Sequence, residues 1–426
     1  MDVNLAFGKT GLELELADDL DITIIEPSYV TGIPQVESRI QESLLVPIES
    51  PPLTSLVENT DQVGIVISDI TRPAPNHILL PVILEAISHV PEEKIVIFMA
   101  LGTHRSNTAT ELKSILGPKI IDKYQIIQNN AFGLSEHISL GKSSYGHEIW
   151  INRALMSCDV RVLTGFIEPH FFAGFSGGGK AIMPGMAGQS TALANHNAEM
   201  IDDPGSTWGV TKGNPIWEEV HEVATSIEKN FLVNVTLNKD KEITGIYSGD
   251  LLAAHAKGCR FVRNTAMIAV SEPFDIVITS NAGYPLDLNL YQSVKGMSAA
   301  AQIVRDGGAI IIAADCWDGI PEHGSYGRIL REAGSPDRVL DTIRKGTSVK
   351  QDQWQAQIQT LIQQRADVFV YTNHLSMEEI ESCLLGYSSK IETTLQALLG
   401  KYGGDARICV LPEGPQTIPY LSNVGA

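Results

Sequence analysis

Nowhere in the 426 residues do eighteen apolar residues run together, so the sequence offers no membrane-spanning helix. Cysteine is sparse as well. The five present, Cys158, Cys259, Cys316, Cys383 and Cys409, lie far apart with no C-x-x-C pair, which fits a reduced, cytoplasmic chain. No block of Lys and Arg interrupts a background of net charge −19, so nucleic acid is not an expected partner. A small anionic ligand would have to be held against that field by a few local cations. The opening MDVNLAFGKTGLELELADDL lacks a basic region followed by an apolar stretch, so no signal peptide is read there. Alternation on both sides of Gly11 predicts a hairpin instead. Internal repeats and low-complexity stretches are absent too.

What is present is ordinary for a folded domain: 43% hydrophobic and 19% charged residues, in a length that accommodates two or three cores. Short runs rich in Val and Ile alternate with helical periodicity such as HILLPVILEAISHV, the pattern of parallel α/β folding. The runs are continuously apolar, which implies strands covered on both faces. We expect two α/β domains, each a mainly parallel sheet flanked by helices, with the active site in the cleft between them. The restart of an apolar strand in TAMIAVSEPFDIVITS, after a helix around LLAAHAKGCRFVRN, places the boundary near 270, giving domains 1–270 and 271–426.

The segments at the carboxyl ends of these runs carry the chemistry. GIVIS leads into DITRPAP (69 to 75), IVIFMAL into GTHR (102 to 105), VRVLT into GFIEPHFFAGFSGGGK (165 to 180), and DIVITS into NAGYPLDLNLYQSVKG (281 to 296). Ligands of open parallel sheets bind beyond the carboxyl ends of the strands. Ordinary βα turns also favour Gly, Pro, Asp and Thr, but turn chemistry leaves the Arg, His and Lys in these segments unexplained. His104 and His170 follow strands in equivalent positions, and imidazoles accept and return protons near neutrality. Each alone also reads as a surface or capping residue. Arg72 has the planar fork that matches a carboxylate, or else pairs with Asp69. Lys295 shares a helical face with Gln292, or is a solvated lysine near a helix end at Gly296. His196 sits in a helical stretch with no local second ligand, and Trp354 reads as a half-buried helix residue or as an apolar cover over a site.

Three consecutive glycines precede Lys180. From Gly174 the spacing is G-x-x-x-x-G-K, a phosphate-cradling loop up to its last letter, where Ala181 replaces the Ser or Thr that holds Mg²⁺. A P-loop-like phosphotransferase is therefore an alternative with a missing part.

Together, D-x-T-R-P at 69 to 73, G-T-H-R at 102 to 105, E-P-H-x-x-A-G-F-S-G-G-G-K-x-x-x-P-G at 168 to 185, N-H-N at 195 to 197 and Y-Q-x-x-K at 291 to 295 resemble the nickel-dependent lactate racemase family. The resemblance implies interconversion of 2-hydroxy-acid enantiomers with a nickel pincer nucleotide, a pyridinium mononucleotide whose two sulfur-containing arms grip nickel through sulfur, carbon and sulfur. One arm would be joined to Lys180 as a thioamide, with His196 as the fourth nickel ligand. Asp69, Thr71, Ser176, Gly177, Gly178 and Gly179 would contact the cofactor, the glycine amides receiving its phosphate. His104 and His170 would be the two bases; Arg72 and Lys295 would anchor carboxylate and oxygen, with Tyr291, Gln292 and Trp354 lining the site. Hydride removal to the nucleotide suits such a site, since proton removal from carbon would set a second negative charge beside the carboxylate. The implied partners are a small 2-hydroxy acid, lactate first, and the enzymes that build the cofactor. A 2-epimerase of larger hydroxy or sugar acids and a non-catalytic hydroxy-acid or cofactor carrier remain alternatives.

Overall fold

The computed structural model describes residues 1–322 and 324–422. The chain forms two units: Tyr29–His196 with Asp203–Arg263, here the first unit, and Met1–Ser28, Asn197–Asp202 and everything from Asn264 on, the second.

The first unit is built on a six-stranded sheet in the order Ile243–Gly249, Asn230–Leu237, Val160–Phe166, Val63–Ser68, Ile95–Ala100, Gln125–Gln128. All neighbours are parallel except the Ile243–Gly249 edge, which returns antiparallel. In the central strand Val63, Gly64, Ile65, Val66 and Ile67 are all buried, as a parallel strand under helices on both faces requires. Each such Val or Ile side chain contributes about 1.5–3 kcal/mol when fully buried. From this strand the chain moves outward to Ile95–Ala100 and Gln125–Gln128, then crosses back to place Val160–Phe166 on the other flank. Strand order therefore reverses beside Val63–Ser68, and loops leaving the strands there diverge and open a crevice.

The second unit has a six-stranded, wholly parallel sheet: Gly386–Tyr387, Ala366–Tyr371, Val304–Ala313, Phe274–Ser280, Ile408–Leu411, Ile22–Ile24. Its order reverses beside Phe274–Ser280, whose carboxyl end leads to the helix Leu290–Ala301.

The fold class is as expected, but the division differs from 1–270 and 271–426. Residues 1–28 belong with the C-terminal sheet because Ile22–Ile24 pairs with the Ile408–Leu411 strand. The hairpin does form, Asp2–Leu5 against Leu12–Glu15, and it buries Val3, Leu5, Phe7 and Leu14 in the same core as Ile276, Ile311 and Val410. The short segment Asn197–Asp202 also belongs to the second unit, and the main boundary falls at Arg263, within the helix Leu251–Ala266.

Candidate active site

Three adjacent strands of the first unit send their carboxyl ends to one edge of its sheet. After Val63–Ser68 comes Asp69, which is buried, followed by exposed Thr71 and Arg72. After Ile95–Ala100 the chain turns through Gly102, at φ 55°, into His104. The two loops meet: Asp69 Oδ2 lies 2.9 Å from His104 Nδ1, and Thr71 Oγ1 donates to Asp69 Oδ1 at 2.8 Å. Burial, the largest single effect, opposes ionisation of Asp69. The His104 hydrogen bond and charge, with Thr71 and the Arg72 guanidinium, outweigh it and hold the carboxyl below its usual range. An ionised carboxylate only accepts, so Nδ1 of His104 carries the proton and Nε2 is the acceptor. Asp69 thus belongs to His104 in this structure, a task that the cofactor-contact expectation did not include. Arg72 acts on Asp69 through its charge but makes no ion pair within 4 Å among the described residues.

After Val160–Phe166 the chain makes a two-residue antiparallel pair, Pro169–His170 with Gly174–Phe175. Here His170 Nδ1 accepts the backbone N–H of Ala173 at 3.2 Å, and its Nε2 is the other ring nitrogen open to a partner. That nitrogen lies 3.4 Å from Lys180 Nζ. The Phe172 ring is the hub: His170 meets it edge-on at 4.5 Å, His196 edge-on at 4.9 Å, and Lys180 Nζ lies 5.7 Å from its centroid. His196 ends the helix Gln189–Asn195 and is 8% exposed. Burial, then the Lys180 charge, pushes its imidazole down to about 3, so the ring is neutral, the form that ligates metals.

The glycines have a packing task that the sequence reading did not include. Gly178 N–H donates to Asn234 Oδ1 at 2.8 Å, and Gly177 O and Gly179 O accept from the next turn of the chain. A Cβ on Gly177 would sit 2.4 Å from Asn234 Oδ1, on Gly178 2.8 Å from His255 Nδ1, and on Gly179 3.0 Å from Ala224 Cβ. Gly177 and Gly178 also take positive φ, 75° and 57°. Bare backbone is needed here to press the loop onto the protein behind it, and the Gly178 amide is already spent. Ser176 is similarly engaged, donating to Phe166 O at 3.0 Å and accepting from Glu168 N at 3.0 Å. The segment Gly178–Ala181 is one 3-10 turn and opens no long helix, so the phosphate-loop alternative loses its structural context.

Behind the glycines lies a layer that sequence reading missed. His221 and His255 stack at 5.2 Å, His221 Nδ1 bonds Trp217 O, and His255 Nε2 bonds Ser176 O at 2.8 Å. These residues lie on two distant helices, and no local motif joins them.

In the second unit, Tyr291, Gln292 and half-buried Lys295 sit on the helix Leu290–Ala301, with Asn289 capping its start through Gln292 N. Gly296 does not end that helix; it lies inside, where a Cβ would meet Ser280 O at 2.4 Å. Trp354 is buried, on the helix Gln353–Arg365, which donates Gln355 Nε2 to Tyr291 O at 2.6 Å. Tyr291 O–H donates to Asp352 at 3.3 Å.

Models of the lactate racemase N-terminal and C-terminal domains match residues 7–209 and 269–418. Lactate racemase of Thermoanaerobacterium thermosaccharolyticum is 34% identical over 423 residues, 98% of this chain and 99% of that protein. The chain belongs to the lactate racemase family. Another lactate racemase, from Lactiplantibacillus plantarum, is 34% identical over 381 residues, 89% of each chain. The solved apoprotein of the Thermoanaerobacterium lactate racemase superposes with a TM-score of 0.93 at 33% identity, covering 98% of this chain and all of that one. A Thermotoga maritima structure at 19% identity, with a TM-score of 0.69 over 92% of this chain and all of that one, shares the fold. Among the described residues of this family member, no helix is long and apolar enough to cross a membrane.

Proposed function

We propose that the protein is a racemase of a small 2-hydroxy acid, lactate first, acting with a nickel pincer nucleotide held on Lys180. The observation that carries the reading is the gathering of the Lys180 amine, His170 and a neutral, buried His196 around Phe172. That donor set fits the cofactor: an amine for the tether and a neutral imidazole for nickel. No group of three or more His, Cys, Asp or Glu among the described residues is placed to hold a metal, so the other nickel donors would come from the nucleotide. The glycine loop backs the tether, with the Gly178 amide taken by Asn234.

When bound, the nucleotide supplies the hydride acceptor and donor. The chain supplies the proton chemistry. His104, oriented by Asp69, exchanges the hydroxyl proton of one enantiomer, and His170 serves as the second base for the other. Arg72 pairs with the substrate carboxylate as a two-toothed donor, and Lys295 holds an oxygen. Tyr291, Gln292 and Trp354 line the substrate side. Cofactor-building enzymes are then obligatory partners.

Co-expression with those enzymes should give an added covalent mass on Lys180 and bound nickel, with racemisation of lactate in a chiral assay. Lys180→Ala should lose the mass and the activity; racemisation retained in that variant refutes the tether. Running malate, phenyllactate and gluconate beside lactate separates a lactate racemase from an epimerase of larger acids. Turnover of those in place of lactate would reassign the substrate, because a site shaped for a methyl group is a poor host for hydroxyls.

A further inference from the structure

The helix Gln353–Arg365 buries three glutamines completely: Gln355, Gln357 and Gln359 are each 0% exposed. A buried amide left without partners costs about 1–3 kcal/mol, so its presence in a core calls for bonds that an apolar residue would not make. Each amide donates to a backbone carbonyl of a different segment: Gln355 to Tyr291 O, Gln359 to Cys383 O, and Gln357 to Ala198 O at 2.8 Å. Gln357 Nε2 also reaches Asp202 Oδ1 at 2.8 Å, and the other oxygen of Asp202 takes Arg344 Nε at 2.6 Å.

Ala198–Asp202 is a helical turn that begins two residues after His196. Asn197, between them, closes that turn: its carbonyl accepts Ile201 N and its Oδ1 accepts Met200 N. On the other side, Asn195 is held by its Nδ2, which donates to the buried Glu219 carboxylate at 2.8 Å. His196 is the last residue of the first unit's opening segment, and the next six residues belong to the second. The backbone bearing the imidazole is thus fastened immediately before and immediately after.

We propose that Gln357 and Asp202, with Arg344, are positioning residues for His196: they fix the turn next to it and so set the direction of its ring toward nickel. The proposal rests on the reading of His196 as the nickel ligand. It also gives the buried glutamine helix a double task, since the same helix fastens the Tyr291 segment through Gln355.

The test uses matured protein carrying Gln357→Met or Asp202→Asn. Three quantities are read: the covalent mass on Lys180, the half-time of nickel loss to a chelator, and the visible absorption of the bound nickel. We expect the mass to stay, nickel to leave about tenfold faster, the lower end of what outer-shell changes cost metal sites, and the absorption band to shift. Arg344→Lys, which keeps the charge on Asp202, should keep release slow. Lys345→Ala, which removes only the exposed pair with Asp341, should match wild type. Wild-type release and an unshifted band in both Gln357→Met and Asp202→Asn overturn the proposal. If Gln357→Met does not fold, Arg344→Ala at the surface gives the same reading. Should His196→Ala keep nickel as tightly as wild type, the ligand assignment itself has failed and the positioning role falls with it.

Discussion

Lowering the pH from 7 to 5 charges buried rings in the unfolded chain that the folded chain keeps neutral, the stacked pair His221 and His255 among them. Burial is the main cause for both: it holds His255 down to about 4 and, with the His255 charge next in size, His221 down to about 3. An ordinary imidazole titrates near 6.5. Both folded values are depressed, so the unfolded state binds the extra protons and stability falls as pH falls. The contribution is complete above about pH 6.5 and is lost progressively toward the folded values. Between pH 7 and pH 5 each ring costs about 2 kcal/mol, or about 4 kcal/mol for the pair, a large share of a domain's usual 5–15 kcal/mol. Urea unfolding of the apoprotein at the two pH values measures this. Wild type should lose stability steeply, and a His221→Gln, His255→Gln double variant should lose about 4 kcal/mol less over the same interval. Equal losses in the two proteins would refute the claim that this pair is buried neutral. Because His255 bonds Ser176 O and both rings border Gly178, acid should loosen the loop that carries Lys180 first.

Asp69→Asn keeps the shape of the His104 partner but offers an N–H where a carboxylate stood, which reverses the ring's tautomer and removes the acceptor at Nε2. In matured enzyme kcat should fall about 10²- to 10⁴-fold, the share of a general base, with KM little changed; an unaltered kcat would show that Asp69 does not orient His104. Gly178→Ala forces a Cβ to within 2.8 Å of His255 Nδ1 at φ 57°. Strain and overpacking together should cost about 2–5 kcal/mol in apoprotein unfolding, and an unchanged urea midpoint would remove the packing explanation of the glycine run.

Much of this was legible because parallel strands advertise themselves. GIVIS and DIVITS are continuous apolar runs since both faces are covered, and the polar motifs that interrupt them at the carboxyl ends are where His104, His170 and Lys295 stand. Edge strands gave weaker signals: Gln125–Gln128 is QIIQ, and Ile22–Ile24 spans three residues with two of them exposed. The packing role of the glycines was hidden for a different reason. A missing side chain is visible in a sequence, but the group facing the gap is not, and at 177 to 179 the protein neighbours are Asn234, His255 and Ala224. The helix QWQAQIQTLIQQR reads as polar, yet it is buried nearly throughout because its amides find carbonyls one by one. Only the assembled chain discloses such pairing.

The pairing of Ile22–Ile24 with Ile408–Leu411 bears on how the molecule comes off the ribosome. Ile22–Ile24 must wait until Ile408–Leu411 is made, while the first unit, from Tyr29 onward, emerges and can close its own sheet in the interval. Non-local pairing of this kind is slow and leaves an unsatisfied edge exposed meanwhile. A nascent chain halted before residue 408 would carry a finished Lys180 loop and an unpaired Ile22–Ile24 segment, a stage exposed to mispairing.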